Sequence, residues 1–385
     1  MKNSIFKIVM FTLFVSIGFL STGQDEASAM PGFARKYKAA CSSCHIAFPK
    51  LNSFGIAFKQ RGYRMEDEGP GEPVWKMKGI PLGGVAQIAY ESKKAGPAKT
   101  SRGDVTAVEF FFGGVLGPNV SFFGDFGADF DKTTGEFESL TPDVAFVIFD
   151  DLISDGRLNL KVGAMDIDFP FLSDPRAPTL SGYLTRLDAG GEDGVTLGRK
   201  AVEANGFFEE SNIRYGIGIG NNAVEKAENS FGAIHAWATK GFEVLGFEQT
   251  VGAIISLDKN GDEAAITDDD TTVYGGALDL HYALSGLILA YYNYDGNTLL
   301  GEGDVSSGLV EGLHSFSEKL VGVARYDFQD ADGSKAEKTQ HTVGLQYFVR
   351  ANVKAQAEYS SLEETDAAGV DTNTQTATIA LTVGF

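Results

Sequence analysis

The chain has 385 residues, including 47 glycines, 52 acidic residues and 32 basic residues, and its formal net charge is −20. A chain of this length and apolar content can bury a core, which excludes a disordered tail. A surface this acidic repels a phosphate backbone, so nucleic acid is excluded as a partner. The two cysteines, Cys41 and Cys44, form one local pair rather than a disulfide framework.

Residues 1–29 have the pattern of a secretory signal peptide. Lys2 and Lys7 precede an apolar run at 8–20, and the small residues at 27–29 suit a signal peptidase. The apolar run is shorter than the ~20 residues that a membrane-spanning helix needs. We therefore predict export and a mature chain that begins at Met30. Because no later stretch is apolar for long enough to cross as a helix, a mature protein in a membrane must cross it with strands.

Charge divides the mature chain into two parts. Seven basic residues and no acidic residue occur between Met30 and Arg64, whereas acidic residues outnumber basic ones in the rest of the chain. The change coincides with a stretch at 66–73 whose glycines and prolines predict a linker. We therefore divide the mature chain into a small segment at 30–78 and a large block at 79–385.

The small segment contains the motif Cys41-Ser42-Ser43-Cys44-His45, the C-x-x-C-H pattern that attaches a c-type haem. On a helical turn, residues three apart share a face, so both thiols can bond the vinyl groups of one haem. The adjacent imidazole of His45 is then the proximal ligand of the iron. The alternative, a thiol–disulfide exchange motif, accompanies a βαβ pattern, which does not surround this motif. The sequence thus predicts one covalently attached haem c, held by Cys41, Cys44 and His45.

A helix is predicted just after the motif, and the sixth ligand of the iron is sought beyond it. Asn52 and Ser53 suit the start of a helix that runs to about Arg61, and Gly62 suits its end. A methionine sulfur is a common sixth ligand of haem c iron. Met65 is the first choice, because it lies just beyond this helix. Other candidates remain open: Met77 and the downstream histidines, which are His235, His281, His314 and His341.

The large block shows the two-residue period of strands with one apolar face. In the last strand, Ile379, Leu381 and Val383 alternate with polar or small residues up to the terminal Phe385. About 16 such stretches can be marked, with 14 and 18 as the bounds. Their spacing and their Phe-, Tyr-, Val- and Leu-rich faces predict a mainly β fold, a transmembrane antiparallel β-barrel in the bacterial outer membrane. The long acidic stretches 258–272 and 361–374 are predicted to be extracellular loops. A soluble β-sandwich is the competing interpretation.

The arrangement of haem motif and barrel resembles the fused monohaem cytochrome-porins, in which a c-type haem segment precedes an outer-membrane barrel. The matching residues are Pro31, Phe33, Ala34, Arg35, Cys41, Cys44 and His45. The best-known members are iron oxidases, which pass electrons from extracellular Fe(II) to periplasmic cytochromes. In those proteins Gln-Thr usually follows the Phe-Ala-Arg triplet, whereas Lys36 and Tyr37 follow it here, a difference that concerns the substrate and not the haem.

The resemblance implies electron transfer across the outer membrane through one haem c. The expected partners are outer-membrane lipid, a periplasmic c-type cytochrome or other carrier, and extracellular Fe(II). Two other functions stay open: a passive porin with a structural or regulatory haem, and electron export to extracellular acceptors. The basic patch at 30–64 either docks an acidic periplasmic carrier or seats against acidic residues of the barrel, and the second is favoured because both parts belong to one chain.

Overall fold

A computed structural model describes residues 32–40, 43–47, 50–65, 73–76, 82–130, 137–153, 156–167, 171, 178–184, 198–221, 232–258, 271–295, 304–331, 337–366 and 368–385. The predicted signal peptide, Cys41, Met77, most of the 66–73 linker and the 259–270 loop lie outside these residues. Among the described residues, no helix has the length and apolar character needed to cross a membrane.

The N-terminal segment, residues 32–65, contains two short helices and a two-stranded sheet. They are α1 (Gly32–Tyr37), β1 (His45–Ala47), β2 (Lys50–Leu51) and α2 (Ser53–Gln60). The side chain of Asn52 caps α2 by accepting a hydrogen bond from the Gly55 amide, and Arg61 follows the last helical residue. The sequence-based prediction of this helix is confirmed at both ends. A short 3₁₀ turn at Val74–Lys76 follows.

Sixteen antiparallel strands form a closed barrel. They are β3 (Leu82–Ala95), β4 (Ala98–Gly117), β5 (Val120–Phe130), β6 (Phe137–Ile153), β7 (Leu158–Asp166), β8 (Gly198–Phe208), β9 (Ile213–Gly220), β10 (Ala233–Val244), β11 (Phe247–Asp258), β12 (Thr271–Tyr282), β13 (Ser285–Asp295), β14 (Val305–Ser317), β15 (Leu320–Ala331), β16 (Glu337–Arg350), β17 (Val353–Thr365) and β18 (Asp371–Gly384). Pairing of β18 with β3 closes the ring. The mainly β prediction of about 16 strands is therefore confirmed.

The two ends of the barrel differ in their connections. At one end, short turns such as Val244–Phe247 and Tyr282–Ser285 join the strands. The chain also enters β3 and leaves β18 at this short-turn end, where the Gly84 and Phe385 backbones exchange two hydrogen bonds. The connections at the other end, the long-loop end, include the longest one in the barrel, 167–197 between β7 and β8. The prediction of a long loop at 361–374 was wrong, because β17 extends to Thr365 and β18 begins at Asp371.

Side chains alternate between the two faces of the barrel wall. Large apolar side chains such as Ile217, Val343 and Ile379 are exposed on the outer face, whereas neighbouring polar side chains such as Glu203, Thr342 and Thr382 are buried inside. This is the reverse of a water-soluble barrel, which turns its apolar face inward. The alternation matches the apolar-out, polar-in pattern of a barrel that faces lipid.

Candidate functional site

The N-terminal segment lies inside the short-turn end of the barrel. Its residues contact inward-facing side chains or backbone of successive strands from β4 to β12, which surround it on several sides. The positions with a close approach are Gly113, Ser121, Asp150, Asn159, Glu248 and Asp279, and Arg214 and Trp237 lie across a shared cavity from the segment. The segment can occupy this position because it precedes β3 in the chain, and β3 begins at the short-turn end.

Ionic contacts tie the basic segment to acidic residues of the inner wall. Arg64 is buried, and its Nη2 atom lies 3.5 Å from carboxylate oxygens of both Asp150 and Asp151. The buried Lys50 ammonium interacts electrostatically with Asp279 on β12 and Glu311 on β14. Two of the seven cations of the basic patch therefore lie against barrel carboxylates, as the favoured alternative expects.

Hydrogen bonds from uncharged donors extend the same interface. The Ser53 hydroxyl donates to Glu248 Oε2 over 2.6 Å, at the N-terminal end of α2. At the other end, Asn159 Nδ2 donates to the Gln60 carbonyl oxygen over 3.2 Å. Both termini of α2 are therefore bonded to the barrel wall, on β11 and β7 respectively, which fixes the direction of the helix axis.

Gly62 lies where the segment turns against β5 and β6. Its φ is +66°, in the left-handed region that favours glycine. A Cβ at this position would also overlap the Ser121 hydroxyl and both Asp150 carboxylate oxygens. Both the conformation and the close approach to the wall therefore require glycine, the residue that the sequence analysis read only as a helix end.

An aromatic cluster holds one side of the segment against β5 and β6. The Phe33 ring stacks on Tyr63 with centroids 4.8 Å apart, and Tyr63 stacks on Phe123 of β5 at 5.1 Å. Phe58 of α2 packs edge-on against Phe33 and is buried. Met65 packs against this same cluster. Met65, which the sequence analysis favours as the sixth ligand, therefore lies in an aromatic and apolar environment.

The described part of the haem motif lies against the start of α2. The Cys44 carbonyl accepts a hydrogen bond from the Asn52 amide over 2.9 Å, and Asn52 Nδ2 donates to the Ser43 carbonyl over 3.0 Å. A Cβ on Gly55 would overlap the Cys44 carbonyl oxygen, so glycine permits this close packing. The Ser43 amide donates to the Ala40 carbonyl over 3.0 Å, the bond of a 3₁₀ turn, and His45 begins β1, while Cys41 and Ser42 lie outside the described residues.

A cavity beside the motif separates α2 from strands β9 to β12. Its apolar lining comes from Ile46, Leu51, Ile56, Phe171 and Trp237. Its polar lining includes Arg214, Glu248, Asp279 and His281. Cys44 and His45, both half-buried, lie next in sequence to Ile46. The donor set of a thiol and an adjacent imidazole, with an apolar cavity beside it, fits a c-type haem.

A stretch of the 167–197 connection forms a second feature within the barrel. Residues 178–184 lie against the wall opposite β7, where Arg325 Nη2 donates to the carbonyls of Ser181 and Gly182. Glu358 accepts hydrogen bonds from the Leu180 and Ser181 amides at 2.6 and 2.8 Å. Sequence reasoning missed this feature. The apolar residues and prolines at 167–180, unusual in a solvated loop, were the available signal.

Tyr183 joins the inward stretch to β14. Burial, with the Glu311 carboxylate beside it, raises the pKa of the Tyr183 phenol well above its ordinary value. The phenol therefore keeps its proton and donates to Glu311 Oε2 over 3.1 Å. Glu311 thus interacts with the inward stretch through Tyr183 and with the N-terminal segment through Lys50.

Comparisons with solved structures identify the fold. The outer-membrane channel DcaP of Acinetobacter baumannii is 15% identical, with a TM-score of 0.58 over 82% of this chain and 100% of that chain. OmpF of Salmonella typhi is 15% identical, with a TM-score of 0.55 over 79% and 97% of the two chains. OprB of Pseudomonas putida is 11% identical, with a TM-score of 0.54 over 79% and 93%. No family model and no curated protein matches the sequence.

The chain therefore has the porin fold, a closed barrel of 16 antiparallel strands. The DcaP structure is matched over its whole length while 18% of this chain stays outside the match. These similarities show the architecture of the barrel.

Proposed function

We propose that this protein transfers electrons across the bacterial outer membrane through one covalently attached haem c at the short-turn end of a porin-like barrel. The observation that carries the proposal is the position of the Cys44-His45 portion of the motif, which lies on a segment bonded to the inner wall. A redox centre there would lie inside the barrel wall, whereas a bilayer alone offers an electron no conducting site.

Two observations support the outer membrane as the location. The outer face of the wall exposes large apolar side chains, including Ile88, Ile255 and Leu287, as a lipid-facing surface does. The porin fold is shared with proteins whose structures are described as outer-membrane channels and proteins. The predicted signal peptide at 1–29 would supply the export step. On this proposal the short-turn end, where both barrel termini lie, faces the periplasm.

The haem would be held by thioether bonds to Cys41 and Cys44 and by the His45 imidazole, and it would supply a one-electron couple at the iron. Met65 is the sixth ligand that the sequence favours. The polypeptide contributes position: Arg64, Ser53 and Gln60 fix the segment against the wall, and the aromatic cluster excludes water from one side of it. The short-turn end would then present the haem to a periplasmic cytochrome or other carrier.

Fe(II) is the proposed donor at the long-loop end. Glu109, Asp125 and Asp143 lie near one another on β4, β5 and β6, and they interact electrostatically within the lumen. Such a group of carboxylates lowers the electrostatic energy of a divalent cation that enters the barrel. This group of carboxylates supports a cationic electron donor over an anionic one. Electron export to extracellular acceptors, in the opposite direction, would use the same haem.

The experiment combines haem detection with iron mixing. The purified protein should retain haem stain in a denaturing gel, and the double variant Cys41→Ala/Cys44→Ala should lose it. Mixing the oxidised protein with Fe(II) should then reduce the haem, at a rate that falls with added salt, since the Debye length is about 10 Å at 0.1 M. A haem that dithionite reduces and Fe(II) does not would reject iron oxidation and leave another donor or outward flow.

A passive channel is the second candidate, and the similarity to DcaP favours it. The N-terminal segment and the 178–184 stretch both occupy the lumen, which reduces the space left for free diffusion. Planar-bilayer recordings separate the two functions. Large, steady conductance from wild-type protein that carries no stainable haem would establish the passive channel and contradict electron transfer.

A further inference from the structure

The cavity between α2 and strands β9 to β12 gives the proposed haem a specific seat. We infer that this cavity holds the porphyrin and that His281 of β12 supplies the second axial ligand of the iron. The inference rests on the proposed covalent haem and goes beyond it, because it names the wall residue that the iron contacts.

The proximal histidine lies beside the cavity. In the β1–β2 pair, His45 is the register partner of Leu51. Directly paired residues of antiparallel strands have side chains on the same face of the sheet. Leu51 lines the cavity, as does Ile46, which follows His45 at the irregular point of the pair. Because His45 is paired with Leu51 and adjoins Ile46, a porphyrin bound to its imidazole would lie next to this cavity.

His281 approaches the cavity from the barrel side. It lies on β12 at an inward-facing position and lines the cavity with Asp279, two residues earlier on the same face. His281 Nε2 lies 3.0 Å from Asp279 Oδ1. A carboxylate bonded to one ring nitrogen of a histidine orients the ring and makes the other nitrogen a better metal ligand. Asp279 is therefore close enough to His281 to orient its ring, as the supporting carboxylate of a metal-binding histidine does.

The remainder of the lining has the chemistry of a porphyrin site. Ile56, Phe171 and Trp237 supply apolar surface for the flat macrocycle. Arg214 supplies a cation for its carboxylates, and its guanidinium lies over the Phe207 ring at 4.8 Å. Among the described residues, the buried Nε atom of Arg214 has no hydrogen-bond partner. These apolar side chains and the guanidinium suit a ligand that is apolar over its faces and anionic at one edge, and the Glu248 and Asp279 carboxylates lie on the same lining.

Met65 lies on the other side of α2. Ile56 of this helix lines the cavity, whereas Phe58 belongs to the aromatic cluster against which Met65 packs. A separation of two residues on a helix with 3.6 residues per turn corresponds to a rotation of roughly 200° about the helix axis. The helix therefore stands between the cavity and Met65, and the geometry favours His281 over Met65 for a porphyrin in this cavity.

The test compares three single variants of the full-length protein. His281→Ala should keep the haem stain, because the thioether bonds remain, and should convert a low-spin iron spectrum to one with an open or water-filled sixth position. His314→Ala is the matched control and should leave the spectrum unchanged, whereas Met65→Ala tests the competing ligand and should keep the sixth position filled. His314 is also a short-turn-end histidine, but its ring contacts Phe316 and Ser285 rather than the cavity.

A second variant protects the result against misfolding. His281→Met should keep six-coordinate iron, gain a methionine-to-iron absorption band and raise the midpoint potential, since methionine ligation raises it. An unchanged spectrum in His281→Ala, or loss of the sixth ligand in Met65→Ala, would overturn the assignment. Absence of haem stain in the wild-type protein would instead reject the proposed function itself, so the two failures are distinguishable.

Discussion

At the residue scale, Arg64 shows how the segment is fixed within the barrel. Its guanidinium contacts Asp150, whose side chain is 1% exposed, and its Nε atom donates to the Arg61 carbonyl over 3.1 Å. A buried carboxylate that loses its partner keeps the full cost of its desolvation. Arg64 therefore stabilises the segment chiefly because it compensates the buried charge of Asp150, and less through the attraction between the two groups.

Replacing Arg64 with Ala should loosen the segment. Breaking a buried ion pair costs about 3 kcal/mol, so the population of the released segment should rise roughly 100-fold. Limited trypsin digestion of the detergent-solubilised protein measures it, because Lys59 and Arg61 become accessible and the cleavage rate follows the open population.

Two further variants give this experiment its controls. Arg102→Ala removes an exposed pair with Asp104 and should change cleavage little, since such pairs contribute about 0–1 kcal/mol. Arg64→Ala with Asp150→Asn should recover part of the protection, because the uncompensated charge is gone. Equal cleavage of the wild-type protein and Arg64→Ala would show that this pair does not hold the segment.

At the element scale, two backbone amides of the 178–184 stretch donate hydrogen bonds to a single carboxylate of the barrel wall. Glu358 of β17 accepts from the amides of Leu180 and Ser181, while Gln356 donates to the Pro178 carbonyl over 3.1 Å. The stretch has no regular secondary structure to satisfy its own backbone. The barrel wall therefore supplies the partners that a helix or sheet would otherwise provide.

Glu358→Ala should release these amides. Each buried N–H that loses its acceptor costs about 1–3 kcal/mol, so amide exchange across 178–184 should accelerate by roughly tenfold or more. Hydrogen exchange followed by mass spectrometry gives the rate for this peptide. Glu364→Ala, on the same strand in an exposed pair with Lys338, is the matched control and should leave exchange unchanged. Unaltered exchange in both variants would mean that other contacts hold the stretch.

At the scale of the whole molecule, closure of the ring determines stability. The β3–β18 pairing joins residues that are almost the whole chain apart, and it leaves the sheet with no open edge. In lipid, every backbone group must find its partner within the barrel. A closed barrel should therefore resist detergent, and unboiled samples should migrate differently from boiled ones in a gel.

Ile379→Pro tests this closure. Ile379 pairs with Tyr90 on β3 and Ala357 on β17, and its side chain is exposed on the outer face. Proline removes the backbone donor at a central position of the ladder, so the heat-modifiable band should disappear. Ile379→Ala keeps the backbone and should retain the band. A folded Ile379→Pro barrel would show that ring closure tolerates an interrupted ladder.

The sequence by itself determined the strand pattern. Each strand has an apolar outer face and a more polar inner face, so the two-residue period is visible in a short stretch of sequence. All 16 stretches marked in the sequence coincide with strands. The helix at Ser53–Gln60 was equally visible, because Asn52 and Gly62 mark its ends. The motif residues Cys41, Cys44 and His45 were also found from spacing alone, and their role in binding haem stays a prediction.

Only the tertiary structure decided what fills the barrel. The Arg64–Asp150 pair, the Glu358 bonds to 178–184 and the cavity shared by Leu51 and His281 each join residues far apart in sequence. Such partners depend on the curvature and register of a closed ring, which no local pattern encodes. Periodicity gives the direction in which a side chain points, whereas the residue that it meets across the lumen is set by the path of the whole chain.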